Sequence, residues 1–489
     1  MKAFGNIAKD GQVRAVASGA LTDGKPVILN SDGTVSVVSS TSVSESVGSL
    51  ATFESASTAY VAATFDSSNN KVVVLYADGG NSDYPTFAVG TVSGTSISFG
   101  TPVVAVSRGS AWHTITFDTN SNKVVGFFTN QSDNNKATGI VGTVSGTTIS
   151  FGSDTTFSAS YVNMFNAEFD SINNKVVFQY RDGSAFDWGS YAIGTVSGTS
   201  LSMASEQRFK TAATEFHGCA IDTSNSRVVF VYQLASNDYG YAVVGTYNTT
   251  SYNFGTEVAF TSAGTDHIST VFDSSNNKVV IVYRDTGDSN KGTAIVGTVD
   301  SSDNSISFGS EVTFTTSHNA QQMSTVFDTN LNKVLISYRD GDDSNKGKVV
   351  VGTVSGTSIS FTTPLEYYDA SVTLTKGDDG ITFDSNSNKG VIVFRSDDNQ
   401  YGRSKVYTPA STSTNLTSSE NFIGFSDGAF ADGQNAVINT TNTIDRNQSS
   451  LTAGQTLFVQ TDGTLGETAD SPSVTAGTAI SATELIVKG

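Results

Sequence analysis

Phe65-Asp66-Ser67-Ser68-Asn69-Asn70-Lys71-Val72-Val73 is the stretch on which the fold of this chain turns. An apolar run ends in Phe-Asp, Ser and Asn follow, and Lys opens a second apolar run, which is the pattern of two short strands around a tight turn. It recurs at Phe117-Asp118 to Lys123, Phe169-Asp170 to Lys175, Ile221-Asp222 to Arg227, Phe272-Asp273 to Lys278, Phe327-Asp328 to Lys333 and Phe383-Asp384 to Lys389. Successive aspartates lie 52, 52, 52, 51, 55 and 56 residues apart. A period this regular marks a repeat architecture.

Outward from the first copy, alternation and turn chemistry predict strands over 60–65, 71–76, 86–92 and 97–104. Val92-Ser93-Gly94-Thr95 marks the last hairpin, where Gly94 supplies the positive φ of a tight turn. A lone four-stranded antiparallel sheet leaves apolar surface uncovered, and radial stacking of such sheets covers it. The expected fold class is therefore all-β, a seven-bladed β-propeller with four-stranded antiparallel blades over residues 43–408. The seventh copy is short: after Phe394-Arg395 one strand, 404–407, precedes Pro409 and a Ser/Thr-rich stretch. Val47-Gly48-Ser49-Leu50-Ala51-Thr52-Phe53 resembles Phe308-Gly309-Ser310-Glu311-Val312-Thr313-Phe314, so a strand from about 43–55 is expected to complete the last blade.

The flanks divide into an N-terminal β-module (1–42), a linker (409–420) and a C-terminal β-module (421–489). They resemble each other. Asp10-Gly11-Gln12 and Leu21-Thr22-Asp23-Gly24 to Asp32-Gly33-Thr34 match Asp432-Gly433-Gln434 and Leu451-Thr452-Ala453-Gly454 to Asp462-Gly463-Thr464. Together they predict one small β-domain built from both ends of the chain.

Composition agrees with many short strands: 46 Gly, 6 Pro, 30 Phe and 17 Tyr in 489 residues. The net charge of −19 opposes nucleic-acid binding and adhesion to anionic membranes. Cys219, the single cysteine, excludes an intramolecular disulfide and any multi-cysteine metal site. The start at Met1-Lys2-Ala3 has no signal-peptide core, and no apolar stretch reaches the length of a membrane span. Synthesis in a cytoplasm without membrane insertion is the expectation.

Two candidate sites emerge. The repeated turn Asp is read as a structural cap, because a single active site needs one special copy. At the other end of that hairpin, His113, His217 and His267 open first strands beside Trp112, while Arg181, Arg284, Arg339 and Arg395 close second strands. These residues are predicted to share a rim, either as a polar surface for stacking and hydrogen bonding to sugars or as arginines paired with neighbouring aspartates. The loops beyond carry Asp285, Asp288, Asp340 and Asp342, oxygen ligands for a calcium ion but without EF-hand spacing. No cofactor is expected. His318 reads as a surface residue. Glu168, Glu206, Glu215, Glu257 and Glu311 have no obvious partner carboxylate, and no phosphate loop or zinc-protease motif is present, so an enzyme is not expected.

Gly424-Phe425-Ser426-Asp427-Gly428-Ala429, Leu451-Thr452-Ala453-Gly454-Gln455 and Gly477-Thr478-Ala479-Ile480-Ser481 to Val487 resemble modules of virion structural proteins of marine tailed bacteriophages. The Gly-Thr-Val-Ser-Gly-Thr element at 90–95, 142–147, 194–199 and 352–357 is similar to repeats in such proteins. The resemblance implies a fibre, knob or capsid decoration component located in the virion. Its terminal modules would bind other virion proteins, and its repeats would meet a host glycan or receptor; a homo-oligomer is compatible with that role. The alternatives are a purely structural decoration protein and a polysaccharide-degrading or sialidase-like enzyme.

Overall fold

The Asp of each repeat builds the turn that follows it. In all seven copies its Oδ1 accepts the N–H groups two and three residues on, as at Asp66 (Ser68 and Asn69, both 3.0 Å) and Asp328 (Asn330 2.8 Å, Leu331 2.9 Å). The turn then closes through a left-handed residue, Asn at every copy except Ser226. All seven carboxylates are buried, and these bonds satisfy Oδ1 in each, which offsets the cost of burial.

The computed structural model describes residues 11–184, 186–315, 319–374 and 380–488. Among them the regular structure is β-strand, apart from two 3-10 turns, Gly79–Asn81 and Gln131–Asp133. Two compact units separate: Glu45–Pro409, and Met1–Ser44 with Ala410–Gly489.

In the repeat unit the first copy runs Thr58–Asp66, Lys71–Asp78, Tyr84–Ser93 and Ser96–Phe99, each strand antiparallel to the next. Val103–Val104 adds a second short pairing to the third strand, so the predicted fourth strand is broken in two. In three later copies the outer edge instead continues into the next repeat as one strand: Thr155–Asp170, Gln207–Asp222 and Val258–Asp273. Each pairs backward by its first half and forward by its second. At the last copy Gly402–Thr408 pairs on its outer side with Ser46–Val47 and Ala51–Glu54, placing Tyr407 opposite Val47 and Ser404 opposite Ala51.

The apolar core lies between consecutive sheets. Val280 and Val296 pack with Met323 and Val334 of the following repeat, and Leu335 and Val349 with Ile381 and Ile392 of the one after. Val391, Val393 and Val406 of the last repeat pack with Val61, Val72 and Val74 of the first.

The other unit interleaves the two ends of the chain. One five-stranded sheet has the order Gln12–Val16, Asn435–Asn439, Phe422–Ser426, Pro26–Leu29, Val35–Val37. A second has the order Ile444–Asp445, Leu485–Val487, Thr475–Ala479, Thr456–Val459, Leu465–Gly466. They are copies of each other down to register. Pro26, Val27 and Ile28 face Phe425, Gly424 and Phe422, and Thr456, Leu457 and Phe458 face Thr478, Gly477 and Thr475, with the same slip between the second and third pairs. A Cβ on Gly424 would stand 2.0 Å from the Asn439 carbonyl oxygen, and one on Gly477 2.1 Å from that of Ile486. The first copy is interrupted between its third and fourth strands by everything from residue 38 to 421.

Two expectations change here. The Gly11-Gln12 and Gly433-Gln434 match is not a structural one: Gln12 and Ile444 hold equivalent places, opposite Asn439 and Ile486. The stretch 409–420 is not a free linker, since Ser411–Thr414 pairs with Ser40–Val43 and Leu416 is fully buried.

Candidate ligand-binding face

At the end of the repeat unit away from the Asp turns, the first strand of each of the first six repeats slips register against the second. The bulged residue lies six positions before the turn Asp and is left-handed: Tyr60 (φ 52°), Trp112 (48°), Met164 (48°), Phe216 (47°), His267 (49°) and Gln322 (49°). The corresponding place in the last repeat falls in 375–379, outside the described residues. A large side chain in this conformation costs roughly 1–2 kcal/mol, and such strain concentrates where a backbone presents side chains for use. Sequence reasoning singled out Trp112 and His267 from this set but missed the collar, whose only signal is a bulky residue without β-branching at each copy.

The three histidines separate. His113 and His217 stand five residues before the turn Asp, a core position filled elsewhere by Val61, Phe165, Ile268 and Met323, whereas His267 occupies the collar. His113 and His217 are 2% and 3% exposed, and desolvation lowers their pKa values to about 3 and about 4. Their rings are neutral near pH 7. His217 Nδ1 donates to the Met164 carbonyl at 2.5 Å and its Nε2 meets Thr214 Oγ1 at 2.8 Å, tying it to the preceding repeat's bulge. His113 Nε2 bonds Ser110 Oγ at 2.9 Å. Neither presents itself to a ligand, which corrects their placement on the rim. His318 lies outside the described residues.

The arginines sit at the ends of second strands as expected, and three are paired. Arg181 meets Asp187 (2.7 Å) and Glu215 (3.2 Å), Arg284 forks onto Asp266, and Arg395 meets Asp397 (3.0 Å). Arg339 lies opposite Gln321. The glutamates also have partners: Glu206 accepts from Tyr180 Oη at 2.6 Å, and Glu257 from Tyr232 and Lys210. Burial, aided by these carboxylates, pushes the Tyr180 and Tyr232 phenols far up. The calcium candidates do not converge. Asp285 caps its own loop at Gly287 N (2.8 Å), Asp288 pairs with Lys291 (3.0 Å), and Asp340 pairs with Lys348 (2.8 Å) while accepting from Asp342 N (3.2 Å). Among the described residues no three His, Cys, Asp or Glu side chains are grouped to hold a metal ion.

A cavity of about 490 Å³ is lined by the first strands of all seven repeats, from Thr64 and Thr116 through Glu168 and Thr270 to Thr382. No family model and no curated protein matches the sequence. Among solved structures, the BP39L lectin from Burkholderia pseudomallei is similar over 73% of this chain and 98% of its own, with a TM-score of 0.53 at 9% identity. The β-propeller domain of Cps50 (Swd1) from Myceliophteria thermophila is similar over 73% of this chain and 99% of its own, with a TM-score of 0.48 at 8% identity. The fold is a β-propeller. At such identity the likeness concerns fold alone.

Proposed function

We propose that the propeller has seven blades closed into a ring by the strand from the start of the chain, and that the chain is a non-enzymatic virion structural protein displaying that ring to a host-surface glycan or receptor. Closure is supported by the core shared between last and first repeats and by the central cavity to which every repeat contributes. The binding reading is carried by one observation, the collar of six large residues held left-handed at one end of the first strands. Glu206, Glu257 and Glu215 serve tyrosine, lysine and arginine partners, which favours binding over hydrolysis. The virion assignment rests on the resemblance of the terminal modules and of the Gly-Thr-Val-Ser-Gly-Thr repeats. In that setting they dock to other virion proteins, and copy number multiplies weak contacts.

Glycan-array binding by the full chain tests the reading. Retention of a defined glycan set is expected; a blank array points to decoration alone. Shortening of a host polysaccharide on incubation would instead establish an enzyme.

A further inference from the structure

The collar is not uniform around its circumference. Trp112 and Phe216 pack into a nearly filled stretch with Met164 and His267, but between Tyr60 and Arg395 a cavity of about 270 Å³ opens. One wall is aromatic: the Tyr60 and Trp112 rings stand 5.7 Å apart at 36°. Leu374 adds to the apolar lining, and Gln322, Thr373 and Arg395 supply the polar edge.

Each polar group is already oriented. Gln322 Oε1 accepts from Leu374 N at 2.9 Å, which leaves its amide N–H groups as donors. Arg395 Nη2 donates to Thr373 Oγ1 (3.2 Å) and Asp397 (3.0 Å), which fixes the guanidinium and offsets its charge. The combination is a small site with an apolar face, directed N–H donors and no uncompensated positive charge. A volume at the low end of ligand pockets suits a single ring. A pyranose presents C–H groups on one face for stacking and hydroxyl oxygens at its edge as acceptors. A carboxylated sugar would face Asp397 beside Arg395 in a chain of net charge −19.

We propose that this cavity is a subsite for one neutral hexose ring, stacked on the Tyr60 and Trp112 wall and hydrogen-bonded by Gln322 and Arg395. The proposal rests on the glycan-binding reading above and gives it a place and a class. A second aromatic pair in the unit, exposed Phe186 and half-buried Trp188, is a poorer platform because Arg208 covers the Trp188 ring at 4.5 Å.

The chain has two tryptophans, so Trp188→Phe leaves Trp112 as its one indole and makes it a reporter without altering the cavity. The full-length variant is titrated with methyl glycosides of glucose, galactose and mannose, and with glucuronic and N-acetylneuraminic acids. A saturable change in Trp112 emission with at least one neutral glycoside is expected, at least ten-fold weaker with both acids. Ala59→Leu, which fills the cavity from its wall, should abolish the response while leaving the thermal unfolding midpoint close to that of the parent. Equal or stronger response to the acids overturns the neutral assignment, and a response that survives Ala59→Leu overturns the location. Silence with every sugar while the array still retains the chain sinks the subsite but spares glycan binding. Silence with a blank array sinks both.

Discussion

At the scale of single residues, the buried histidines give this protein a calculable pH response. His113 and His217 are neutral when folded because burial lowers their pKa values to about 3 and about 4, whereas the unfolded chain titrates them near 6.5. Between those values the unfolded state binds the extra protons, so stability rises with pH there. Their contribution is complete above pH 6.5 and is lost as the pH falls toward 4, at about 1.4 kcal/mol per pH unit for each histidine. Denaturation midpoints at pH 7 and pH 5 should therefore diverge in the parent, and the gap should shrink in a His113→Met/His217→Met chain, whose substitution follows Met323 at the same repeat position. An unchanged gap would place the acid sensitivity in other groups. The sequence grouped these residues with His267 because all three open a strand. One position separates them, and in a strand one position exchanges the two faces.

At the scale of the element, two devices shape each repeat, and they differ in how plainly the sequence announces them. The Asp turn and the Gly hairpin are local chemistry, since one side chain caps its own backbone and one glycine supplies a positive φ, so period and strand order could be read directly. The collar bulge could not, because Tyr60, Trp112, Met164, Phe216, His267 and Gln322 share a backbone conformation and no residue type. Met164→Val tests whether that conformation governs the site. Valine is the more apolar choice, yet β-branching at positive φ should make it about 1–2 kcal/mol less stable than Met164→Asn, because asparagine tolerates the left-handed region; thermal midpoints in the reverse order would refute it. The second contact is between elements. A Cβ on Gly309 would lie 1.8 Å from the Thr357 carbonyl oxygen of the next repeat's hairpin, and Gly48, Gly100 and Gly152 show the same approach. Backbone cannot swing aside as a side-chain tip can, so Gly309→Ala should cost about 1–3 kcal/mol. Gly146→Ala in the same unit, with open space around its Cβ position but a φ of 61°, would carry only the conformational penalty, and the two midpoints compared separate the causes.

At the scale of the whole molecule, the repeat region is an insertion. Residues 444–487 form an uninterrupted five-stranded module, and Gln12–Val16, Pro26–Leu29 and Val35–Val37 begin the same module, which Phe422–Ser426 and Asn435–Asn439 complete. Likeness between the chain ends was legible in their Asp-Gly-Thr turns, but the duplication was not, because its equivalent strands share few residue types and half of one copy is displaced by hundreds of positions. The Ser/Thr-rich stretch after Pro409 read as a linker because nothing but Leu416 in it is strongly apolar; an exposed two-stranded pair needs no more. The apolar clusters of this unit are built from residues 13–38 and 416–487. Ser40 pairs with Thr414 and Val43 with Ser411, so the strand ends where the chain leaves and returns lie side by side, the spacing that a two-residue turn spans. Replacing residues 44–410 by Asn-Gly should therefore leave a chain that folds alone, with a β-type circular dichroism spectrum and one cooperative thermal transition. If that chain aggregates or melts without a transition, the duplicated module depends on the inserted region for its stability, and the end modules could not serve as an independent dock.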